Sequence, residues 1–314
     1  MIGYGHSHGH HGEILQGAVT TAADKPRPVL VTLPCLAYES KARFRLSSRP
    51  DLRVYPPECT KALTAARLTL DELDMNEWGG TLWLDSNITP LQGLGSSTAD
   101  VTAAVRAVAD TCGACLPSAH IARIAVMAET ASDPLMFGTS PILFAQREGL
   151  VLECFEQALP SMVLLSLRDP RNGPGTSTLA LNPHRHESRA LTRYEGLLNE
   201  LRAGIATNNL SGIAAVATNS ALINQSCLHK PRLESLLALG YEHGASGIQI
   251  AHSGSVMGLI FEPCRLQALH ETRQSLSMRY PDIKSEIILP DALCSPSHGD
   301  KLAVQTAPIR AAVT

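Results

Sequence analysis

The stretch NITPLQGLGSSTADVTAAVRAVAD, Asn87 to Asp110, decides the fold. Glycine and serine are poor helix formers, yet Gly93, Gly95, Ser96 and Ser97 run straight into a segment whose Val101, Ala104, Val105 and Val108 share one helical face. Glycines turn a backbone tightly and leave its N–H groups uncovered. A helix starting there adds its own unpaired N–H groups and the positive end of its dipole. Ser96, Ser97 and Thr98 add short hydroxyls, and a serine there can reach a magnesium ion. Residues Pro90 to Thr98, with Leu94 between the two glycines, therefore read as a phosphate cradle. A plain helix cap needs one serine, not two glycines and three consecutive hydroxyls. No lysine follows in the order of a Walker A loop, and the H-R-D and D-F-G marks of protein kinases are absent.

The totals narrow the class. With 314 residues, 44% hydrophobic and 18% charged, the chain has the composition of a globular protein. It has room for two modest domains or one large α/β unit. A formal charge of -3 gives no basic footprint, so neither nucleic acid nor an anionic membrane is expected as a partner. No apolar run approaches the roughly 20 residues of a bilayer span. The opening MIGYGHSHGHHGEI lacks the basic start and apolar stretch of a signal peptide, and a cytoplasmic location is expected. The 8 cysteines are scattered, most in apolar runs such as those around Cys35 and Cys154, as suits reduced core thiols. Cys112 and Cys115 form a C-x-x-C without a second pair, so helix-end packing is expected there rather than redox or zinc chemistry.

Strands are expected over 28–38 and 41–48, separated by a polar break, and over 79–88, 149–155 and 161–169. Helices are expected over 58–75, from Ser96, and over 118–130 with Ser118 as its cap. Helical stretches near 187–205, 212–224 and 231–241 follow, and a β-loop-β-α-β run over 247–289 closes the fold. The chain divides most naturally near Ala158–Pro160. The expected units are 1–158 carrying the phosphate loop, 159–290, and a loose tail over 291–314.

PLQGLGSSTA (90–99) resembles the second motif of the GHMP kinases, the galacto-, homoserine, mevalonate and phosphomevalonate kinases: the proline, both glycines, both serines and Ala99 all match. GHHGEILQG (9–17), the LVTLPC that follows, and GIQIAHSGSVMGLIF (247–261) are similar to the L-threonine kinase branch of cobalamin side-chain synthesis. The resemblance implies a two-domain α/β (α+β) fold, with a ribosomal-protein-S5-like N-terminal domain and a ferredoxin-like C-terminal domain. It implies ATP and Mg2+ as cofactors, and transfer of phosphate to the side-chain hydroxyl of a small amino acid, most of all L-threonine. Homoserine, serine or a non-proteinogenic hydroxy amino acid are alternative acceptors, because one methylene in a pocket is worth only about 1–3 kcal/mol. A non-catalytic nucleotide or amino-acid sensor on the same scaffold is a further alternative, and a homodimer is left open. The basic residue that opens the first motif in some relatives has no counterpart here; Gly9-His10-His11 takes its place.

Phosphoryl transfer needs groups that hold the metal and orient the acceptor hydroxyl. The resemblance assigns Glu129 with Ser97 to magnesium and puts Asp133 near the acceptor hydroxyl as base or orienter. The residues alone also allow a solvated acidic helix end, with Asp133 a turn residue before Pro134. Asp100, in the first turn of the loop's helix, either favours the helix dipole or touches substrate. Glu13, with Gln16 close by, is expected to pair with the ammonium of an amino acid; a surface hairpin is the alternative. His252, Ser253 and Gly254 belong to the third motif and are expected at the substrate side of the site. His6, His8, His10 and His11 read either as a metal tract or as pocket lining and loop.

Overall fold

Two long strands, β1 (Ile2–Thr20) and β2 (Pro26–Ser47), pair antiparallel along most of their length and form the middle of a ten-stranded sheet. The computed structural model describes residues 1–20, 26–173, 188–251 and 254–293. On the β2 side the sheet continues through β4 (Gly79–Ser86) to the parallel edge strand β3 (Leu52–Tyr55). On the β1 side it continues through β8 (Gly247–Ile250), β9 (Val256–Phe261) and β7 (Val163–Arg168) to β10 (Lys284–Ile288). A short hairpin of β5 (Ile142–Ala145) and β6 (Leu150–Cys154) joins β2 at Leu30.

The helices cover these strands in groups. Helices α1 (Thr60–Glu72) and α2 (Ser96–Thr111) bury Ala62, Ala66, Leu70, Ala104 and Val108 against Phe44 and Leu82 of the sheet. Helix α3 (Ser118–Glu129) packs Ile121, Ile124 and Ala125 with Val101 and Val105 of α2. Helices α4 (Ser188–Ala206) and α5 (Leu210–Asn224) cover the second half of β1, where Tyr194, Leu201 and Ile213 meet Ile14 and Leu15. Helices α6 (Leu233–Glu242) and α7 (Leu266–Arg279) bury Leu236, Leu269 and Leu276 against Leu165, Ile248 and Leu259. Among the described residues no helix is long and apolar enough to cross a membrane.

Several local expectations change. The two strands expected over 28–38 and 41–48 are one strand, because the polar residues between them find partners. The Glu39 N–H donates to Asn87 Oδ1, and the buried Ser40 hydroxyl donates to Asp100. The histidine- and glycine-rich opening is strand, not loop. Strands β3 and β5, four residues each, are too short to show a pattern. Ser118 does not cap α3: Pro117 occupies that position, and the Ser118 hydroxyl donates to the Met136 carbonyl. The cysteines are free among the described residues, but only Cys35 is buried, so most are not core thiols. Cys112 packs its sulfur 3.3 Å from that of Met75, and Cys115 is exposed. The expected tail lies outside the described residues beyond residue 293.

The glycines of β1 have a steric reason. A Cβ on Gly5 would sit 2.0 Å from the Ala103 carbonyl oxygen and 2.5 Å from the Ala107 nitrogen, both backbone atoms of α2. Helix and strand can approach that closely only over a residue without a side chain. Gly5→Ala is therefore expected to destabilise the protein by about 1–3 kcal/mol through overpacking against a rigid backbone. Urea denaturation measures this, and an unchanged midpoint would mean that α2 is free to move off the strand.

Candidate active site

The site begins where the chain enters α2. Gly93 and Gly95 have φ of 80° and 77°, a left-handed backbone that a residue with a Cβ rarely adopts. Gly95 occupies the helix cap position and has no side-chain cap, so no capping oxygen takes up the first N–H groups of α2. The loop is pinned from both sides. The His10 N–H donates to the Leu94 carbonyl at 3.1 Å, and the Leu94 side chain is buried in the core. The N–H groups of Ser255 and Val256 both donate to the Gln92 carbonyl. A Cβ on Gly254 would lie 2.0 Å from that same carbonyl oxygen, so the third-motif glycine is there for close backbone approach. His252 and Ser253 lie outside the described residues. Pro90 is exposed at the loop's entry.

The hydroxyls of α2 meet two carboxylates. Ser97 Oγ donates to Glu129 Oε2 at 2.6 Å, and Thr98 Oγ1 donates to Glu129 Oε1 at 2.7 Å. The same Thr98 oxygen accepts from the Asp133 N–H at 3.2 Å and lies 3.5 Å from Asp133 Oδ2. Glu129 is 4% exposed, which removes the reading of a solvated helix end. Burial raises its pKa to about 7 in spite of the two hydroxyl donors, and Asp133 pushes it the same way. Lys61 Nζ, on the exposed side, approaches Glu129 to 4.0 Å.

β1 supplies the opposite wall. Its pairing with β2 shifts register between His8 and Gly9, between His10 and Glu13, and between Glu13 and Leu15. Bulges of this kind re-aim side chains, and the four histidines go to different partners. His6 pairs with Glu39 at the surface. His8 turns back on the Gly9 carbonyl. His10 Nε2 lies 3.2 Å from Asp133 Oδ2 and its Nδ1 lies 3.3 Å from the Gly12 carbonyl oxygen. His11 faces Ser166 Oγ at 2.8 Å and the Gln249 amide. The tract is thus not a shared metal site. His10 is the only one of the four in a group of three potential ligands, with Glu13 and Asp133, among the described residues. Burial by itself would lower the His10 pKa, but Asp133, with Glu13 behind it, reverses this and lifts it to about 9.

Glu13 is buried, paired in the sheet with Thr32 and Ile250, rather than in a surface hairpin. Gln16 is buried farther along β1, where its main chain bonds to Ser220 and Asn224 of α5. Asp100 is the fifth residue of α2, beyond its first turn, and accepts a hydrogen bond from Ser40 at 2.6 Å. It turns to β2, not to Glu129 and Asp133. Two residues escape sequence reasoning. Thr98 joins both carboxylates, a role its place in a run of hydroxyls only hints at. Lys230 is 4% exposed and donates to the Gly254 carbonyl. Burial lowers the Lys230 pKa to about 8, with Glu13 pulling the other way, and nothing around it in the sequence marks it.

Comparisons with known proteins show what the chain is similar to. The profile described as GHMP kinases N terminal domain matches residues 60–138, which include α2, its loop and both carboxylates. An L-threonine kinase of Citrobacter freundii is 27% identical over 203 residues, 63% of this chain and 69% of its own. An L-threonine kinase of Salmonella typhimurium is 27% identical over 187 residues; the match spans 59% of this chain and 61% of that relative's length. In fold, the crystal structure of a homoserine kinase from Cytophaga hutchinsonii superposes with a TM-score of 0.64 at 16% identity, covering 90% of this chain and 93% of that one. Residues 60–138 thus match the N-terminal domain of the GHMP kinases, and the described fold is shared with a homoserine kinase.

Proposed function

We propose that the chain is a magnesium- and ATP-dependent kinase of the side-chain hydroxyl of a small amino acid, with L-threonine as its acceptor. The observation that carries this reading is the pairing of two hydroxyls at the start of α2 with a buried carboxylate, and a second carboxylate on the same threonine. The relatives named L-threonine kinase support the acceptor.

Ser97 Oγ and the Glu129 carboxylate are hard oxygen donors of the kind magnesium takes. The buried carboxylate, whose pKa burial lifts to about 7, fits a neighbouring cation that would hold it ionised. Magnesium supplies charge neutralisation at the transferred phosphates. The chain's own residues do the rest. Gly93 and Gly95 shape the backbone that receives the phosphates, and the uncapped start of α2 offers N–H groups to them. Asp133 orients the acceptor hydroxyl and receives its proton as the oxygen bonds to phosphorus and the bond to the departing ADP oxygen breaks. Glu13 and Lys230 suit the two ends of a zwitterion, carboxylate to ammonium and ammonium to carboxylate. The division into units of 1–158 and 159–290 goes with this reading, the second carrying Lys230 and Gly254.

ADP release with Mg-ATP, measured across L-threonine, L-serine, L-homoserine, L-allothreonine and no acceptor, tests the proposal. A signal with L-threonine well above the others is expected. Silence across the panel with ATP still bound would discard L-threonine as the acceptor and leave an unusual acceptor or a sensor. Asp133→Asn should lower kcat by about 10²–10⁴-fold while calorimetry shows Mg-ATP binding retained; an unchanged kcat would remove Asp133 from the transfer step. Lys230→Met should raise KM for the amino acid by about 10–100-fold, the loss of one charge-assisted hydrogen bond, with KM for ATP unchanged. The reverse pattern would put Lys230 on the nucleotide.

A further inference from the structure

The pattern of acceptors around His10 favours a protonated ring. Each imidazole nitrogen faces an oxygen that accepts: Nδ1 the Gly12 carbonyl at 3.3 Å, Nε2 the Asp133 carboxylate at 3.2 Å. A carbonyl oxygen has no proton to give, and a carboxylate is acceptor-only when ionised. An ionised carboxylate opposite Nε2 and a carbonyl opposite Nδ1 thus call for a proton on both ring nitrogens. A metal ion has no lone pair left to bind on this ring, although His10, Glu13 and Asp133 bring potential ligand atoms within 4.8 Å of one another.

The position of the ring matters as much as its charge. A Cβ on Gly95 would lie 2.6 Å from His10 Cδ2, so the imidazole lies directly against the phosphate loop. The His10 main chain holds that loop through Leu94. The carboxylates here are Glu129, Asp133 and Glu13, and a nucleotide polyphosphate would add more negative charge. Of the cations nearby among the described residues, Lys61 is half exposed and pairs with Glu129, Lys230 is turned to Gly254, and Arg106 of α2 donates to the His6 and Met136 carbonyls.

We infer that His10 is a cationic positioning residue for phosphoryl transfer, an imidazolium that aims the Asp133 carboxylate while placing a positive charge beneath the phosphate loop. This rests on the kinase reading above and adds to it the group that orients Asp133. His10 needs no second partner to act. It donates one proton to Asp133 and one to Gly12 and keeps both, so the hydroxyl proton of the acceptor goes to Asp133 and not through the ring.

The groups that bear on its titration are few. From the loop after α3 comes Asp133, and from β1 itself come Glu13, His8 and His11. From α2 and the phosphate loop, Thr98, Leu94 and Gly95 bring no charge. Burial leaves both neighbouring histidines neutral, His8 below its ordinary value and His11 at about 3. The folded pKa of about 9 lies above the ordinary 6.5. The ion pair thus contributes its full stability below pH 6.5, and that contribution is lost as pH rises through about 9.

Two measurements on the full chain test this. Ring-nitrogen NMR of the ligand-free protein should show two protons on His10 between pH 6.5 and about 9. A single proton there would overturn the inference without any variant. His10→Gln keeps a donor but not the charge. It should lower kcat by about 10²–10³-fold, leave KM for acceptor and ATP near the parent values, and erase the alkaline loss of stability. A wild-type kcat in a folded His10→Gln would overturn the positioning role. If no acceptor is phosphorylated by the parent enzyme, doubly protonated His10 would remain as an ion pair, while the kinase reading and the catalytic half of this inference would fall together.

Discussion

A carboxylate cannot be buried at the foot of a helix unless something replaces its water, and the arrangement around Glu129 follows from that constraint. Ser97 and Thr98 give it two hydroxyl donors, so both residues must be helical and on the turn that faces α3. That requires α2 to start at Ser96, which in turn requires Gly95 in a left-handed cap ahead of it. The glycine-rich loop and the acidic pair are thus one unit. The glycines that free the first N–H groups of the helix also set the rotation that points its hydroxyls at the acids.

The loop is held against the C-terminal part of the sheet by equally strict packing. Gly93 would drive a Cβ to 2.3 Å from that of Ala251, and Gly254 would drive one into the Gln92 carbonyl. Two glycines from segments more than 150 residues apart in sequence thereby face one another across a backbone contact. The Gln92 carbonyl accepts from two N–H groups beyond Gly254, and Lys230 closes the same corner by donating to the Gly254 carbonyl. A corner of backbone held this way cannot shift by an ångström without losing several hydrogen bonds at once. That rigidity is what positioning chemistry requires.

Much of this was legible in the sequence. The helix from Ser96 and its buried face at Val101, Ala104, Val105 and Val108 follow from apolar spacing, and the closing strand-loop-strand-helix-strand run follows from alternating pattern and breakers. Glu129 and Asp133 are marked by where α3 ends. What pattern could not reveal are features set by partners far away in the chain. β2 runs through its polar middle because Asn87 and Asp100 satisfy it. β1 looks like a loop by composition because its glycines answer to α2, not to its own backbone. Asp100 invites a reading as a site residue because of its place beside the motif, and only the approach of Ser40 gives it a different partner. Lys230 belongs to the site through a carbonyl in another segment, and no local signal can carry that.

The clearest case is the pair of neighbours His10 and His11. Composition treats them as equivalent, and both are buried. Desolvation acts on both in the same direction, disfavouring the imidazolium. Their difference comes entirely from the bulged strand, which turns one ring to a carboxylate and a carbonyl and the other to a hydroxyl and an amide. The first set of partners stabilises a cation; the second offers no charge to offset burial. One pKa rises to about 9 and the other falls to about 3. The irregular strand pairing thus shifts the pKa values of adjacent, chemically identical residues in opposite directions. The ring of raised pKa lies on the side of the strand where Asp133, Glu13 and the glycine-rich loop meet.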